Sequence, residues 1–338
     1  MSGFMNVQDI VIGSGLLIGL LFGATGQFSG FCLNRALKEY WQSGALHKAQ
    51  SFVLALFVAM IGTQSLAQFG LIDLSKSIYR GPMFSWLLVP LGGVLFGYGM
   101  MLANGCGART LVLFAQGNLR SLVVLLCLGV SAYATLTGVL GPLRLSLSQM
   151  TTMPGASIAD LPLVMQAWLL GALLLSLAIF SFWKLHLLRH KKDLFAGFVM
   201  GLLIVAGWFS TGWLAFDEFE PVNLVSLTFV APIGETIQYA MIATGMKLSF
   251  GVSSVLGVLL GSFLLACLSK RLHLQGFSSP REMLRYIAGG VLMGVGGALA
   301  LGCSIGQGLT GLSTLALSSM IAMAGILCGA RLGLRHAS

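Results

Sequence analysis

Fifteen residues of this chain occur twice, and the second copy limits what the whole can fold into. Gly92 to Cys106 reads GGVLFGYGMMLANGC and Gly289 to Cys303 reads GGVLMGVGGALALGC. Laid over each other at an offset of 197 residues, 289 minus 92, they agree at ten positions: GGVL, two later glycines, Leu-Ala and the closing Gly-Cys. Biased composition alone would give roughly one or two matches, so the chain carries a real internal duplication. Each copy runs an apolar, glycine-rich segment into a cysteine, and a small-residue break follows, GARTL after Cys106 and SIGQGL after Cys303. A helix stops at a thiol, twice.

Composition decides which solvent surrounds those helices. With 57% hydrophobic and only 9% charged residues, a soluble globule of 338 residues would have too little interior to bury its apolar surface. The expected fold is therefore an all-α polytopic membrane protein. Its 45 glycines suit closely packed membrane helices, and Gly19/Gly23, Gly93/Gly97, Gly257/Gly261 and Gly290/Gly294 are GxxxG pairs. Met1 to Ile10 lacks Lys and Arg and no cleavage pattern follows, so the first apolar run is expected to stay as a helix.

Charge-free runs long enough to span lie at Val11 to Gly30, Ala49 to Ile72, within Gly81 to Gly107, and at Ser121 to Leu143, Leu161 to Trp183, Leu194 to Phe216 and Leu248 to Ser269. Tyr286 to Ala330 holds two more, broken near Cys303, which makes nine. Pro221 to Met246, interrupted by Pro232, Gly234 and Glu235, reads as a re-entrant or broken element. Positive charge gathers at Arg35/Lys38/Lys48, at Lys184/Arg189/Lys191/Lys192, at Lys270/Arg271/Arg281/Arg285 and at Arg331/Arg335, the loops expected to be cytoplasmic. The acidic turn Asp217, Glu218, Glu220 and the loop from Ser146 to Asp160 would face outward, although Lys76, Arg80 and Lys247 fall on that side too. The net charge of +9 is read as this loop asymmetry, not as nucleic-acid binding.

Alternation then places the amino terminus outside and the carboxyl terminus inside. The two GGVL segments run in opposite senses. The expected organisation is a first repeat at 1–145, a linking span at 146–193 and a second, inverted repeat at 194–338. Such duplications are typical of secondary transporters and channels, with the substrate near mid-membrane where broken helices meet. Broken helix ends expose backbone N–H groups and a positive dipole end, which favour an anion. The side chain at both breaks is a soft, polarisable thiol, so a sulfur- or selenium-containing solute suits it better than phosphate.

The six cysteines have no CxxC and no cysteine–histidine spacing, so no metal site and no cofactor are expected. Cys127, Cys267 and Cys328, deep in Leu-rich runs, read as small apolar side chains. The runs GFCLNRAL around Cys32, FGYGMMLANGCGARTLV around Cys106 and GGVLMGVGGALALGCSIGQGL around Cys303 resemble the YeeE/YedE family of bacterial inner-membrane thiosulfate transporters over essentially the whole chain. The resemblance implies two inverted halves, nine spans and an hourglass whose waist carries three cysteines that hand thiosulfate along. By motif these are Cys32, Cys106 and Cys303. It also implies a small TusA-like sulfurtransferase as a cytoplasmic partner, lipid being the other neighbour. Family members commonly have Arg-Phe-Cys at the first cysteine, where this chain has Gly30-Phe31-Cys32. The repeat offset carries Cys32 to Phe229, so the three thiols sit asymmetrically on the duplicated frame.

The candidate substrate-binding set is Cys32, Cys106 and Cys303 with Asn104, Gly105 and Gly107 at the first break and Gly302, Ser304 and Gln307 at the second. Asn104 and Gln307 are amides suited to sulfonate-type oxygens, or simply to exposed backbone. Glu235, with Gln238 one turn on, is a candidate coupling site or an outer-surface group. Arg109 either attracts an anion leaving Cys106 or anchors the inner interface. Moving a dianion inward costs about 4.6 kcal/mol per 100 mV, so uptake needs co-transported cations or consumption inside. The expected activity is thiosulfate uptake by a non-enzymatic cysteine relay. Sulfite, sulfide or a selenium species are the alternative cargoes, and a membrane thiol oxidoreductase is the alternative class, which would be expected to carry an adjacent cysteine couple.

Overall fold

A computed structural model describes residues 7–155, 157, 162–183, 186–215 and 223–337. The acidic turn at Asp217, Glu218 and Glu220, and also Asp160 and Lys184, lie outside the described residues. The chain is helical almost throughout. The first half contains α1 (Val7–Ser29), α2 (Leu33–Ser43), α3 (His47–Gln68), α4 (Leu88–Leu102), α5 (Gly107–Ala115) and α6 (Leu119–Leu136). After α7 (Gly141–Met150), α8 (Leu163–Ser181) and α9 (His186–Arg189) come α10 (Lys191–Phe209), α11 (Val230–Ile242), α12 (Phe250–Leu268), α13 (Pro280–Leu299) and α14 (Leu317–Ala337). The only paired strands among the described residues are Met83–Ser85 and Thr152–Pro154, an antiparallel clip between two loops.

Eight helical stretches among the described residues are long and apolar enough to cross a bilayer, against the nine expected from sequence. The missing one is α13, whose opening turns carry Arg281, Glu282 and Arg285 and lower its hydropathy. It is nevertheless 20 residues long and packs against both α4 and α6. The linking helix α8 is the reverse case, apolar enough to span but with only 6% of its span buried. The segment expected to be broken contains α11, too short to span at 13 residues. It follows an extended stretch in which Leu224, Leu227 and Phe229 are buried.

Glycine sets how closely the helices approach. A Cβ on Gly97 would stand 2.1 Å from the Ile326 carbonyl oxygen, and one on Gly329 would stand 2.0 Å from that of Val94. These contacts lock α4 against α14 in parallel. The same small-residue contacts lay α1 along α12 through Gly19 and Gly257, and α6 along α13 through Gly290 and Gly294. Between the duplicated windows the sense reverses, because Gly92 meets Gly296 while Gly99 meets Gly289. Helices α4 and α13 therefore cross antiparallel, and the repeat offset converts each of these contacts into the other.

The basic loops meet at one end of the bundle. Lys48 pairs with Glu39, His47 lies 3.7 Å from Asp193, Arg331 stacks over Trp41, and Arg120 pairs with Glu282. Lys76 and Lys247 lie at the other end, where Tyr79 accepts from Ser318 through its carbonyl.

Candidate functional site

Two helix breaks face each other in the core. In the first copy α4 ends in a left-handed residue, Asn104 at φ 54°, and Gly105 N donates back to Met100 O at 3.1 Å. In the second copy Leu301 takes φ 57° and Gly302 N donates to Gly297 O at 2.9 Å. Each pair forms a Schellman-type stop that turns the chain out of its helix. The next residue is the thiol, Cys106 or Cys303. Thr110 N then donates to Cys106 O and, one offset later, Gln307 N donates to Cys303 O, restarting a helical turn. The restart is α5 in the first copy and a wide π-type turn, Gly306–Gly311, in the second.

The third thiol arrives by another break. Gly30, at φ 70°, ends α1, and Cys32 is the N-cap of α2. Cys32 and Cys106 thereby come together with their sulfurs 3.8 Å apart. Both are buried, as is Cys303. Ser304, the residue after Cys303, has a completely buried hydroxyl that lies beside the Cys106 thiol. The two duplicated breaks are thus neighbours. All three cysteines stand at the start of a helical turn, where backbone N–H groups point outward. At Cys303 one such bond is made, Gly306 N to Sγ at 3.2 Å.

The remaining candidates separate into those inside and those outside this centre. Gly105, Gly107, Gly302, Ser304 and Gln307 are buried around the thiols. Gln307 donates to Ala300 O at 2.5 Å, while its Oε1 is buried with no partner. Asn104 is exposed, accepting from Lys38 Nζ at 3.3 Å. Glu235 and Gln238 are half-buried on α11, and Glu235 lines a 510 Å³ cavity with Lys247 and Thr228. Arg109 lies at the thiol end of α5 and donates from Nη1 to Gly26 O at 3.2 Å. Cys127 is half-buried and Cys267 and Cys328 are exposed on the apolar surface.

Sequence reasoning missed Asn34 and Tyr79. Asn34 donates to Met100 O at 2.7 Å, and its buried Oδ1 has no partner. A polar residue two positions past a candidate thiol was the available signal. Tyr79, buried beside Trp208, has its hydroxyl near Thr228 and Gly306 at the second break, a placement that nothing local in the sequence announces.

The fold is thus a duplicated helical membrane core with three buried thiols at its helix breaks. The family described as sulphur transport matches residues 28–332, and the chain belongs to it. It is 28% identical over 321 residues to the thiosulfate transporter TsuA of Escherichia coli strain K12, covering 88% of this chain and 86% of that protein. It is also 28% identical over 331 residues to the thiosulfate transporter TsuA of Spirochaeta thermophila, covering 92% and 94%. A shorter match, 33% over 95 residues, links it to the probable transporter YedE of Salmonella typhimurium, covering 28% of this chain and 22% of that protein.

Proposed function

We propose that the chain carries thiosulfate inward across the bacterial inner membrane, through a passage between the two breaks and past Cys303, Cys106 and Cys32. The observation that carries this reading is the 3.8 Å approach of Cys32 to Cys106, with the residue after Cys303 beside Cys106. Backbone N–H groups at the helix starts offer donors to the anion's oxygens, while the thiols take the soft terminal sulfur. Weak thiol contacts let the solute leave, as conduction requires.

The antiparallel crossing of α4 and α13 supports two inverted halves, 1–145 and 194–338, joined by 146–193. The clustering of basic loops supports a cytoplasmic face at that end, with the amino terminus outside and the carboxyl terminus inside. A recess of 540 Å³ there, lined by Arg35, Lys48, Arg189 and Lys192, suits an acidic or persulfidic partner of the TusA type. Glu235 remains the candidate for a coupling cation, since it lines the cavity at the opposite end.

Uptake of sulfur-35 thiosulfate into proteoliposomes tests the proposal. Cys32→Ala, Cys106→Ala and Cys303→Ala should each lower the rate at least about tenfold, the ~1.4 kcal/mol of a lost stabilising contact. Cys127→Ala, Cys267→Ala and Cys328→Ala should leave it unchanged. Full uptake by any of the first three variants would sink the relay, and competition with sulfite and sulfide reads the cargo. The close pair gives the oxidoreductase reading the adjacent couple that the sequence lacks. A disulfide that turns over with quinone in the purified protein would favour that class instead.

A further inference from the structure

Arg109 was open to two readings, and its position favours one of them. An interface anchor belongs at the loop end of α5, near residues 116–118. Arg109 stands instead in the first turn, three residues past Cys106 and about 10 Å of helix from that loop end. Its guanidinium turns inward, to the carbonyl of Gly26, six residues before Cys32.

Its neighbours matter more than its depth. The charged and titratable groups that act on it are Cys32, Cys106 and Arg35. Arg35 already pairs with Glu39, which Lys48 also holds. No carboxylate pairs with Arg109 among the described residues, so a half-buried cation stands beside two thiols without a counter-ion. Inside a bilayer such a charge is costly and marks a pathway or a ligand. The second copy has nothing equivalent. The repeat offset carries Arg109 to Gly306, where even a Cβ would stand 2.5 Å from the Thr228 hydroxyl.

We propose that Arg109 is the selectivity charge of the Cys32–Cys106 pair, its guanidinium serving as counter-ion to the oxygens of a small oxyanion whose sulfur meets the thiols. This rests on the transport reading above and deepens it. The inner pair binds an anion, and a neutral sulfur solute gains nothing from the cation. The outer break, without a cation, offers only backbone and amide groups. Residue 30, where the family commonly has arginine, cannot supply the charge here, because Gly30 is left-handed and Arg35 lies over it, with Nη1 2.8 Å from the Cβ position.

Charge-matched thiol reagents test this without relying on thiosulfate. Purified protein is labelled with the sulfonatoethyl and the trimethylammonioethyl methanethiosulfonates, and modification of Cys32 and Cys106 is read peptide by peptide. In the unaltered protein the anionic reagent should react faster at both. Arg109→Gln should lower the anionic-to-cationic rate ratio by about tenfold, the scale expected for removing one charge within a few ångströms. Arg109→Lys, keeping the charge, should stay within about threefold. Size exclusion confirms that each variant is folded. An unchanged ratio in folded Arg109→Gln overturns the proposal, and so does failure of either reagent to reach either thiol. If the ratio responds but the unaltered protein carries no thiosulfate, the cargo reading fails and this inference stands.

Discussion

The two breaks share a backbone and differ in nearly every side chain that touches it. The offset pairs Cys106 with Cys303, Asn104 with Leu301 and Gly105 with Gly302, and the backbone bonds made by Ala103, Gly105 and Thr110 recur at Ala300, Gly302 and Gln307. It also pairs Cys32 with Phe229, Asn34 with Ala231, Lys38 with Glu235 and Arg109 with Gly306. The first break has thus gathered a second thiol, a buried amide and a cation, while the second has a single thiol among neutral polar side chains. Phe229 packs on Phe22 at 5.0 Å between ring centroids, filling with a ring the place that its counterpart gives to a thiol. Duplication supplies two matching stops, and divergence at a handful of positions leaves the proposed anion charge at one of them alone. The proposed passage would then have an unequal pair of steps, giving a solute different residence at each.

That inequality is open to a direct attack. Mild oxidation with copper phenanthroline should remove two protons and two electrons from Cys32 and Cys106 and join them, since only a small closure separates 3.8 Å from a bond of about 2.05 Å. Cys303 should remain a free thiol. Thiosulfate uptake should fall to background and return with dithiothreitol, the largest effect expected of any treatment here. Mass mapping that finds Cys303 in the disulfide would show that the breaks do not divide the thiols as described.

A gentler test makes the second break resemble the first. Phe229→Cys places a thiol where the offset puts the counterpart of Cys32, so the same oxidation should now also join positions 229 and 303. Losing the ring will cost about 3–5 kcal/mol of packing, so less folded protein is expected, but the cross-link is read only in what folds. If position 229 stays reduced while Cys32 and Cys106 are joined, the two breaks are not related by the offset at their entry segments.

Much of this was legible in the residues because membrane burial leaves a coarse signal. The apolar runs, the duplicated window and the loop charges identified the helices, and the stop at Cys106 and at Cys303 followed from Gly-Cys and the small residues after it. Two things were not legible. Cys32 lies outside the duplicated window, so only folding of α1 and α2 around Gly30 reveals that it meets Cys106. Asn104 reads as a ligand by its place next to Gly-Cys, but a left-handed residue at a helix stop points away from the helix it ends, and it meets Lys38 at the surface. Sequence spacing reports which residues adjoin a break and is silent on which side of it each one faces.

The smallest expected effect concerns that left-handed position itself. Asparagine tolerates φ near 54° because its short amide can bond locally, whereas leucine at φ 57° carries a steric cost of about 1–2 kcal/mol. Leu301 is 41% exposed, so little burial offsets that cost. Leu301→Asn should therefore raise the stability of the purified protein by up to about 1 kcal/mol, and Asn104→Leu should lower it by a similar amount. Apparent unfolding midpoints in one detergent would show opposite shifts of a few degrees at most. A drop in both variants would mean that Leu301 is held by packing at the cavity it lines with Tyr79 and Gln307, and that the two stops are matched in shape but not in what holds them.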